Sequence, residues 1–270
     1  MSLLVRDITA VVPARNAEAL LPGCLAALSE EGVAEIIVVD GLSSDRSREV
    51  ARVHGAQVIS DEGKGLPWAR TVGVEAARTR WVLLVDADVV FAPGGVAALL
   101  SEFAAGGYVA LQAGLRSSSG PGYWGQALTQ HHRTGRSRNW FGLMATLFER
   151  DQMLATGFDD RFRSGEDIEL RWRLRQAGLS AAVSRSVIVE HRFAGDDFAF
   201  ALDQFLMDGA GLGRMIRKHG WRGARLAALP AAAAVRGVLL TLIRRQPRWV
   251  PYYAAFCWYN YVGMARGLVR

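Results

Sequence analysis

Four short apolar runs alternate with helical segments in the first half of this 270-residue chain, and this order most constrains its fold. The apolar runs are residues 8–13, 35–40, 56–60 and 81–85. Helices are predicted over residues 17–29, from Ser44 or Asp45 to His54, from Pro67 onward and from Pro93 to Ala104. Because strands separated by helices of about ten residues or more form right-handed crossovers, this order predicts a parallel sheet flanked by helices.

The length is compatible with one large domain or two small ones. Half of the residues are hydrophobic, which allows a sizeable core and argues against global disorder. Cys24 and Cys257 are the only cysteines and lie far apart in the sequence, so they indicate neither a disulfide framework nor a zinc site. The first seven residues lack the basic and then apolar pattern of a signal peptide, so a cytoplasmic location is expected.

Basic residues are concentrated at the end of the chain. The first 208 residues contain 21 Arg and Lys against 26 Asp and Glu, whereas residues 209–270 contain eleven Arg and Lys and no acid. Apolar helices are expected over residues 231–243 and 252–264, and neither reaches the ~20 uninterrupted apolar residues of a spanning helix. Their basic and aromatic composition is typical of helices that lie on an anionic membrane surface, here the inner face of the plasma membrane. A helical cap on the domain and a homodimer interface are the alternatives, and no nucleic-acid-binding motif accompanies the charge.

Two carboxylates, Asp86 and Asp88 of a D-A-D sequence, come directly after the strand predicted over residues 81–85. Acids at the end of a buried strand are costly unless their charge is compensated. Mg²⁺ binds one or two carboxylates together with substrate phosphates, and open α/β sheets bind ligands at the carboxyl ends of their strands. The D-A-D sequence therefore predicts a metal and diphosphate site, with a solvated turn as the alternative.

Polar motifs also follow the other three predicted strands, and parallel strands bring such motifs to one edge of a sheet. The first two motifs are P-A-R-N-A-E at residues 13–18 and D-G-L-S-S-D from Asp40. The third strand is followed by Lys64 and Arg70. An acid that can bind ribose hydroxyls or a base, together with cations for a diphosphate, predicts a nucleotide diphosphate site.

The pattern of strands and helices becomes less regular over residues 115–139. Their S-S-S-G-P-G sequence has loop composition, and the H-H-R-T-G-R-S-R sequence at residues 131–138 is polar and basic. This basic run is either a solvated surface loop or a mobile flap over a negatively charged ligand.

In their order along the chain, these motifs resemble those of family-2 inverting glycosyltransferases with the GT-A fold. The resemblance spans residues 8–193 and also rests on A-R-T-V-G after G-K-G, on G-E-D-I-E-L-R-W-R-L-R-Q-A-G from Gly165 and on V-I-V-E-H ending at His191. It implies an α/β fold, a GT-A-like Rossmann-type and mostly parallel sheet flanked by helices. Residues 1–200 are expected to form this domain, and residues 201–270 a helical extension.

The resemblance implies a nucleotide-sugar pocket whose residues follow the first four strands. These residues are Pro13, Ala14, Arg15, Glu18, Asp40, Lys64, Arg70, Asp86, Ala87 and Asp88. Asp40 is implied to contact the base, Lys64 and Arg70 the base or the diphosphate, and Asp86 the ribose. Family members usually read A-R-N-x-G where this chain reads A-R-T-V-G, which weakens the inference about the donor and not about the fold.

The resemblance also implies the chemistry. Asp88 is implied to bind Mg²⁺ or Mn²⁺, with His191 as a further metal ligand or a diphosphate contact. The metal would act as a Lewis acid on the leaving nucleoside diphosphate. Asp167 of the E-D pair with Glu166 is implied as the general base that deprotonates the acceptor hydroxyl, and a helix N-terminus would favour its ionised form. Plain first-turn acids are the alternative reading of this pair.

The expected enzyme is a hexosyltransferase-type glycosyltransferase (EC 2.4) that adds one sugar. Processive members of the family carry a downstream Q-x-x-R-W, whereas Arg171-Trp172 lies inside the E-D helix. A UDP-sugar donor is expected, with GDP-mannose or a dTDP-sugar as alternatives. The acceptor is lipid-linked or a small molecule.

The motifs of two other enzyme classes are absent, and one non-catalytic function is an alternative. A sugar-nucleotide pyrophosphorylase would carry G-x-G-T-R after the first strand, and an NAD-dependent enzyme G-x-G-x-x-G, whereas this chain has Ala14-Arg15-Asn16. A non-catalytic scaffold that binds sugar nucleotides or membranes remains an alternative, although the D-A-D and E-D acids are intact.

Overall fold

The computed structural model describes residues 4–134 and 140–269, which form two compact units. The first unit runs to Arg116 and also contains residues 140–160 and Leu170–Arg192. The second unit contains residues 117–134, Arg161–Glu169 and residues 193–269. The expected domain boundary near residue 200 stays a prediction.

A mixed sheet contains eight strands in the described residues, in the order β3-β2-β1-β4-β7-β6-β8-β5. The strands are β1 (Ile8–Ala14), β2 (Glu35–Asp40), β3 (Gln57–Ser60), β4 (Trp81–Val85), β5 (Val89–Val90), β6 (Ala110–Ser118), β7 (Ala145–Glu149) and β8 (Ala181–Arg192). The four predicted strands are β1 to β4, and their ends differ from the prediction by a residue at most. Strands that alternate with helices confirm the predicted α/β class.

The helices include the four that were predicted in the first half. They are α1 (Leu21–Glu30), α2 (Ser47–Val53), α3 (Leu66–Ala76), α4 (Gly95–Gly106), α5 (Tyr123–Thr134), α6 (Arg150–Thr156), α7 (Glu166–Gln176), α8 (Phe198–His219), α9 (Trp221–Ala224), α10 (Leu229–Ile243) and α11 (Val250–Val269). Helix α1 begins four residues later than predicted, because Ala17 starts a turn in which its carbonyl accepts hydrogen bonds from the backbone N–H groups of Leu20 and Leu21.

Strands β3, β2, β1 and β4 are parallel, and the last three are covered on both faces, whereas β3 at the edge is partly exposed. Alternate side chains of β1 enter two different apolar clusters: Ala10 and Val12 pack in one, and Val11 in the other. Helix α3 approaches one face closely at Gly73, where a Cβ atom would lie 2.2 Å from Cγ1 of Val11. Burial on both faces explains why these strands read as continuous apolar runs.

The other four strands add antiparallel pairs that were not predicted. Strand β7 pairs antiparallel with both β4 and β6, and the two-residue strand β5 pairs antiparallel with β8. The pairing of β5 with β8 sets Val89 opposite His191.

The S-S-S-G-P-G sequence forms a loop only over residues 119–122, because β6 continues to Ser118 and α5 follows from Tyr123. Helix α5 buries Ala127 and Leu128 in an apolar cluster with residues of α8, α10 and α11. His131 lies among aromatic rings, with ring centroids 5.0 Å from Phe256, and burial lowers its pKa to about 4. The start of the basic run is therefore helical and not a flap, whereas residues 135–138 lie outside the described residues.

The second unit is built around the contact of α8 with α11, which run in the same direction and which glycine residues bring close together. A Cβ atom at Gly209 would lie 2.0 Å from the backbone oxygen of Asn260, and one at Gly213 would lie 2.3 Å from that of Met264. Gly263 and Gly267 on α11 face the α8 backbone in the same way. Small residues four apart on both helices let the two backbones touch.

Residues Trp221–Ile243, from α9 through α10, form one stretch that is long and apolar enough to cross a membrane by length and composition. Its mean hydropathy is 2.0, and only 22% of the tested window is buried inside the protein. The apolar helix expected over residues 231–243 is therefore the last part of a longer apolar stretch, because the preceding turns also belong to it.

Candidate functional site

The loops after β1 and β2 are tied together by side-chain hydrogen bonds. The Asn16 backbone N–H donates to Ser43 Oγ at 3.0 Å, and its side-chain oxygen accepts from the Ser44 backbone N–H at 2.9 Å. Glu18 Oε2 accepts from the Arg46 backbone N–H at 2.9 Å. Asn16 has a φ of 51°, which asparagine adopts more readily than most residues. The first two motifs therefore form one fixed surface, and Glu18 helps to hold it.

Asp40 ends β2 opposite Ala14 of β1 and is buried. One of its carboxylate oxygens accepts a hydrogen bond from the Ser43 backbone N–H at 3.2 Å and lies 3.8 Å from Nε of Arg48. Arg15 is exposed beside Gly41, with its Cβ 3.3 Å from where a Cβ at Gly41 would lie. Pro13, Ala14, Arg15 and Asp40 thus lie together at one end of adjacent strands.

The G-K-G loop after β3 is organised by Asp61, which the motif search missed. The buried Asp61 carboxylate accepts hydrogen bonds from the backbone N–H groups of Gly63 at 2.7 Å and Gly65 at 3.1 Å. Lys64 is exposed at this turn, pairs with Glu62 at 2.7 Å and lies over the ring of Trp68. An Asp two residues before a glycine-rich turn is the sequence signal for this arrangement.

Arg70 of α3 forms a buried ion pair with the first acid of the D-A-D sequence. Its Nη2 lies 2.9 Å from Oδ1 of Asp86, and its side chain is 1% exposed. Burial raises the pKa of Asp86, the positive charge of Arg70 opposes this, and the negative charge of Asp88 adds to it, so the pKa is raised overall. Arg70 therefore neutralises a strand-end carboxylate, and its contact with a diphosphate stays a prediction.

Asp88, the second acid, faces His191 of β8. Asp88 Oδ2 lies 3.2 Å from Nε2 of His191, whereas the buried Oδ1 has no hydrogen-bond partner in the described part of the chain. Burial lowers the pKa of His191, but the hydrogen bond to Asp88 and the negative charges of Asp88 and Asp86 outweigh it, so the pKa is raised. The thiol of Cys24, 3.7 Å from the Asp86 carbonyl oxygen, also closes this end of the strand.

The donor set at the end of β4 fits a divalent cation that takes part of its ligands from a phosphate. Asp88 offers a carboxylate oxygen that has no hydrogen-bond partner in the described residues, and carboxylate oxygen is a preferred ligand of Mg²⁺ and Mn²⁺. His191 adds an imidazole nitrogen beside it. Among the described residues, no group of three or more His, Cys, Asp and Glu side chains is arranged to hold a metal alone. Hard cations of this kind commonly complete their shell with substrate phosphates and water.

The E-D pair belongs to the second unit, at the start of α7. Glu166 is buried, and Asp167 is half-buried. The backbone before them is fixed by Ser164, whose Oγ donates to the Met207 carbonyl of α8 at 2.9 Å. Asp208 of α8, which the sequence motifs did not indicate, is an exposed acid of the same unit.

The predicted site residues therefore fall into two groups. The first unit holds the residues after β1 to β4 and His191, and it brings Arg70 to Asp86 and Asp88 to His191. Glu166 and Asp167 lie in the second unit.

A family profile and several curated relatives match this chain. The profile described as Glycosyl transferase family 2 matches residues 9–165, more than half of the chain. Succinoglycan biosynthesis protein ExoO of Rhizobium meliloti (strain 1021) is 31% identical over 208 residues, which cover 67% of this chain and 59% of ExoO. The chain thus matches less than two thirds of that protein's length.

Solved structures share the fold. The mannosyltransferase PcManGT from Pyrobaculum calidifontis, in complex with GDP-Man and Mn²⁺, has a TM-score of 0.65 at 17% identity and covers 97% of this chain and 87% of its own. Glucosyl-3-phosphoglycerate synthase from Mycobacterium tuberculosis, in complex with Mn²⁺ and UDP-glucose, has a TM-score of 0.53 at 20% identity and covers 74% of this chain and 76% of its own. These likenesses confirm the predicted GT-A-like fold.

Arg70→Met should destabilise the protein by on the order of 3 kcal/mol, because it leaves the Asp86 carboxylate uncompensated. Arg70→Met with Asp86→Asn should recover most of this loss. Arg80→Met is the control, since Arg80 pairs with Glu149 at 2.9 Å on the surface and its loss should cost about 1 kcal/mol or less. Urea denaturation measures the free energy of unfolding of all three variants. Equal losses for Arg70→Met and Arg80→Met would show that Arg70 does not stabilise the Asp86 carboxylate.

Proposed function

The chain belongs to glycosyl transferase family 2, and we propose that it moves one sugar from a nucleotide diphosphate sugar to an acceptor hydroxyl, with inversion and with a divalent cation bound. The observation that carries this proposal is the arrangement of side chains at the end of β4. There Arg70 neutralises Asp86, while Asp88 keeps one buried oxygen without a hydrogen-bond partner in the described residues, next to His191.

The proposed donor pocket is the surface formed by the ends of β1, β2 and β4. Asp40 is buried with a carboxylate that can accept hydrogen bonds from a base, and the exposed Arg15 lies beside it. Lys64 is the exposed cation of the G-K-G loop and is proposed to contact the base or the diphosphate. A UDP-sugar is the proposed donor. The two structural relatives hold UDP-glucose and GDP-Man, so both nucleotides belong in the test.

Asp88 and His191 are proposed to hold Mg²⁺ or Mn²⁺ against the diphosphate. A divalent cation at this position supplies Lewis acidity that stabilises the charge of the leaving nucleoside diphosphate. The protein side of this site consists of a preformed carboxylate, an imidazole that orients it, and the Arg70–Asp86 pair behind them.

Asp167 is the proposed general base, and Glu166 beside it is the less accessible carboxylate of the pair. Asp167 is half-buried at the first turn of α7, whereas Glu166 is 6% exposed. The N-terminus of a helix stabilises an ionised carboxylate, and this keeps a base deprotonated at neutral pH. A base that takes the acceptor proton on the face opposite the leaving group inverts the configuration at the anomeric carbon.

The acceptor is proposed to be lipid-linked and to be reached from an anionic membrane surface. Exposed apolar side chains on α10 lie at helical spacing, with Val235 60%, Leu239 54% and Leu242 55% exposed, and Ile243 is 76% exposed. Exposed arginines flank this face on both sides: Arg222, Arg225, Arg244, Arg245 and Arg248. A helix with an apolar face and a basic rim is typical of peripheral membrane binding.

Asp88→Asn should abolish the metal-dependent part of nucleotide binding, because the carboxylate charge on the cation is lost. Titration calorimetry with UDP and with GDP, each with and without Mn²⁺, measures this. We expect Mn²⁺ to tighten binding to the wild type, and this gain to fall at least about tenfold in the variant. Asp151→Asn, at an exposed acid of α6, is the control. A variant with the full Mn²⁺ effect would exclude Asp88 as a ligand.

Asp167→Asn should leave nucleotide binding unchanged and lower turnover by ~10²- to 10⁴-fold, since only the proton acceptor is lost. Donor hydrolysis and transfer are followed by NMR, which also reports the anomeric configuration of the product. Asp203→Asn, at an exposed acid of α8, is the control. Turnover near that of the wild type, or a retained configuration, would remove Asp167 as the base of an inverting reaction.

Leu239→Glu with Ile243→Glu should release the protein from anionic membranes. We expect the wild type to sediment with vesicles of phosphatidylglycerol and phosphatidylcholine at low salt, and the double variant to bind at least about tenfold more weakly. Val53→Glu is the control, because Val53 is an equally exposed aliphatic residue of the first unit, 78% exposed. Unchanged sedimentation of the double variant would reject the membrane role. The role would also be rejected if the wild type were a homodimer in solution and the double variant a monomer.

A further inference from the structure

Helix α8 holds the backbone that precedes the E-D pair. Besides the hydrogen bond from Ser164 to Met207, the chain at Gly165 touches α8 at Gly211, where a Cβ atom would lie 3.0 Å from Cα of Gly165. Gly165 has a φ of 78°, which a residue with a side chain rarely adopts. The position of residues 164–167 is therefore fixed by one face of α8.

Arg214 lies on the same face of α8 and binds this backbone directly. Its Nη1 donates hydrogen bonds to the carbonyl oxygen of Ser164 at 3.2 Å and to Ser164 Oγ at 2.8 Å. The guanidinium group is thus held three residues before Asp167, and it has further N–H groups that these two bonds do not use.

Two more arginines lie around this guanidinium group. Arg163 directly precedes Ser164, and Arg217 follows Arg214 by one turn of α8. Burial and the positive charges of Arg163 and Arg217 lower the pKa of Arg214, and the negative charge of Glu166 opposes them. Three positive charges therefore lie near the start of the E-D helix, and the exposed Arg163 and Arg217 are accessible to an anion from solution.

This arginine cluster differs from the cation next to it. Lys218, the next residue of α8, is paired with the buried Glu169 and lies over the ring of Phe162. By contrast, none of Arg163, Arg214 and Arg217 takes part in an ion pair within the residues that the structure describes. The neighbouring charge is neutralised inside the protein, whereas the charge of the arginine cluster is left for a ligand.

We propose that Arg163, Arg214 and Arg217 bind a phosphate group of the acceptor and so bring its hydroxyl to Asp167. Guanidinium groups bind phosphate through paired, charge-assisted hydrogen bonds, and the N-terminus of α7 adds a favourable dipole. This inference rests on the proposed function, which supplies the role of Asp167, and it names the acceptor as an anionic, phosphate-bearing alcohol. A soluble phosphate ester and a lipid phosphate both have this chemistry.

Arg163→Gln with Arg217→Gln tests the site and leaves Arg214 in its structural hydrogen bonds. The probes are glycerol 3-phosphate, measured by calorimetry, and two vesicle preparations of equal charge, one containing phosphatidic acid and one phosphatidylglycerol. The control removes the same charge elsewhere, with Arg52→Gln and Arg185→Gln at exposed positions of α2 and β8.

We expect the Arg163 and Arg217 variant to bind a phosphate monoester at least about tenfold more weakly than the wild type and the control. A loss for glycerol 3-phosphate supports a soluble ester. A loss for phosphatidic acid alone, with phosphatidylglycerol binding unchanged, supports a lipid phosphate. Equal phosphate binding by all three proteins would overturn the proposal.

A parallel titration with UDP and Mn²⁺ separates this proposal from the proposed function. Affinity for the nucleotide should stay unchanged in the Arg163 and Arg217 variant, and a loss there would assign the cluster to the donor instead of the acceptor. Because phosphate binding needs no turnover, the site can be present even if Asp167→Asn shows that sugar transfer uses another base.

Discussion

The buried ion pair of Arg70 with Asp86 is the interaction on which the end of β4 depends. The strand is apolar on both faces, so an acid at its end keeps its charge at a cost unless a cation lies beside it. That cation comes from α3, which packs so closely on the sheet that only glycine fits at residue 73. Packing of one helix thus places the charge that stabilises Asp86, and Asp88 is left with an oxygen for a ligand.

The strands that sequence reasoning found are those with the simplest physical signature. Strands β1, β2 and β4 are buried on both faces and read as apolar runs, and the helices that separate β1 to β4 require parallel pairing. From that topology it follows that Asp40 and the D-A-D sequence lie at the same end of the sheet. Asp88 also lies next to His191, and only the family resemblance suggested that these two residues act together as metal ligands.

The remaining features have no local signature. Strand β5 has two residues, too few for any period, yet its pairing with β8 is what brings His191 to the D-A-D sequence. Helix α5 was not predicted, because glycine and proline precede it and because His131 is polar. In the structure, aromatic neighbours surround the His131 ring and its pKa is lowered, so the ring is neutral. The arginine cluster draws its members from a loop and from a helix about 50 residues later, and only tertiary contact joins them.

The central claim is that Asp88 and His191 bind a divalent cation together with the diphosphate of the donor. Pulsed EPR of Mn²⁺ added with UDP tests it most directly, in protein labelled with ¹⁵N at histidine. The account predicts a hyperfine coupling to ³¹P from the diphosphate and a coupling to ¹⁵N that disappears in His191→Gln. A spectrum identical to that of Mn²⁺ and UDP free in solution, without any ¹⁵N coupling, would contradict it.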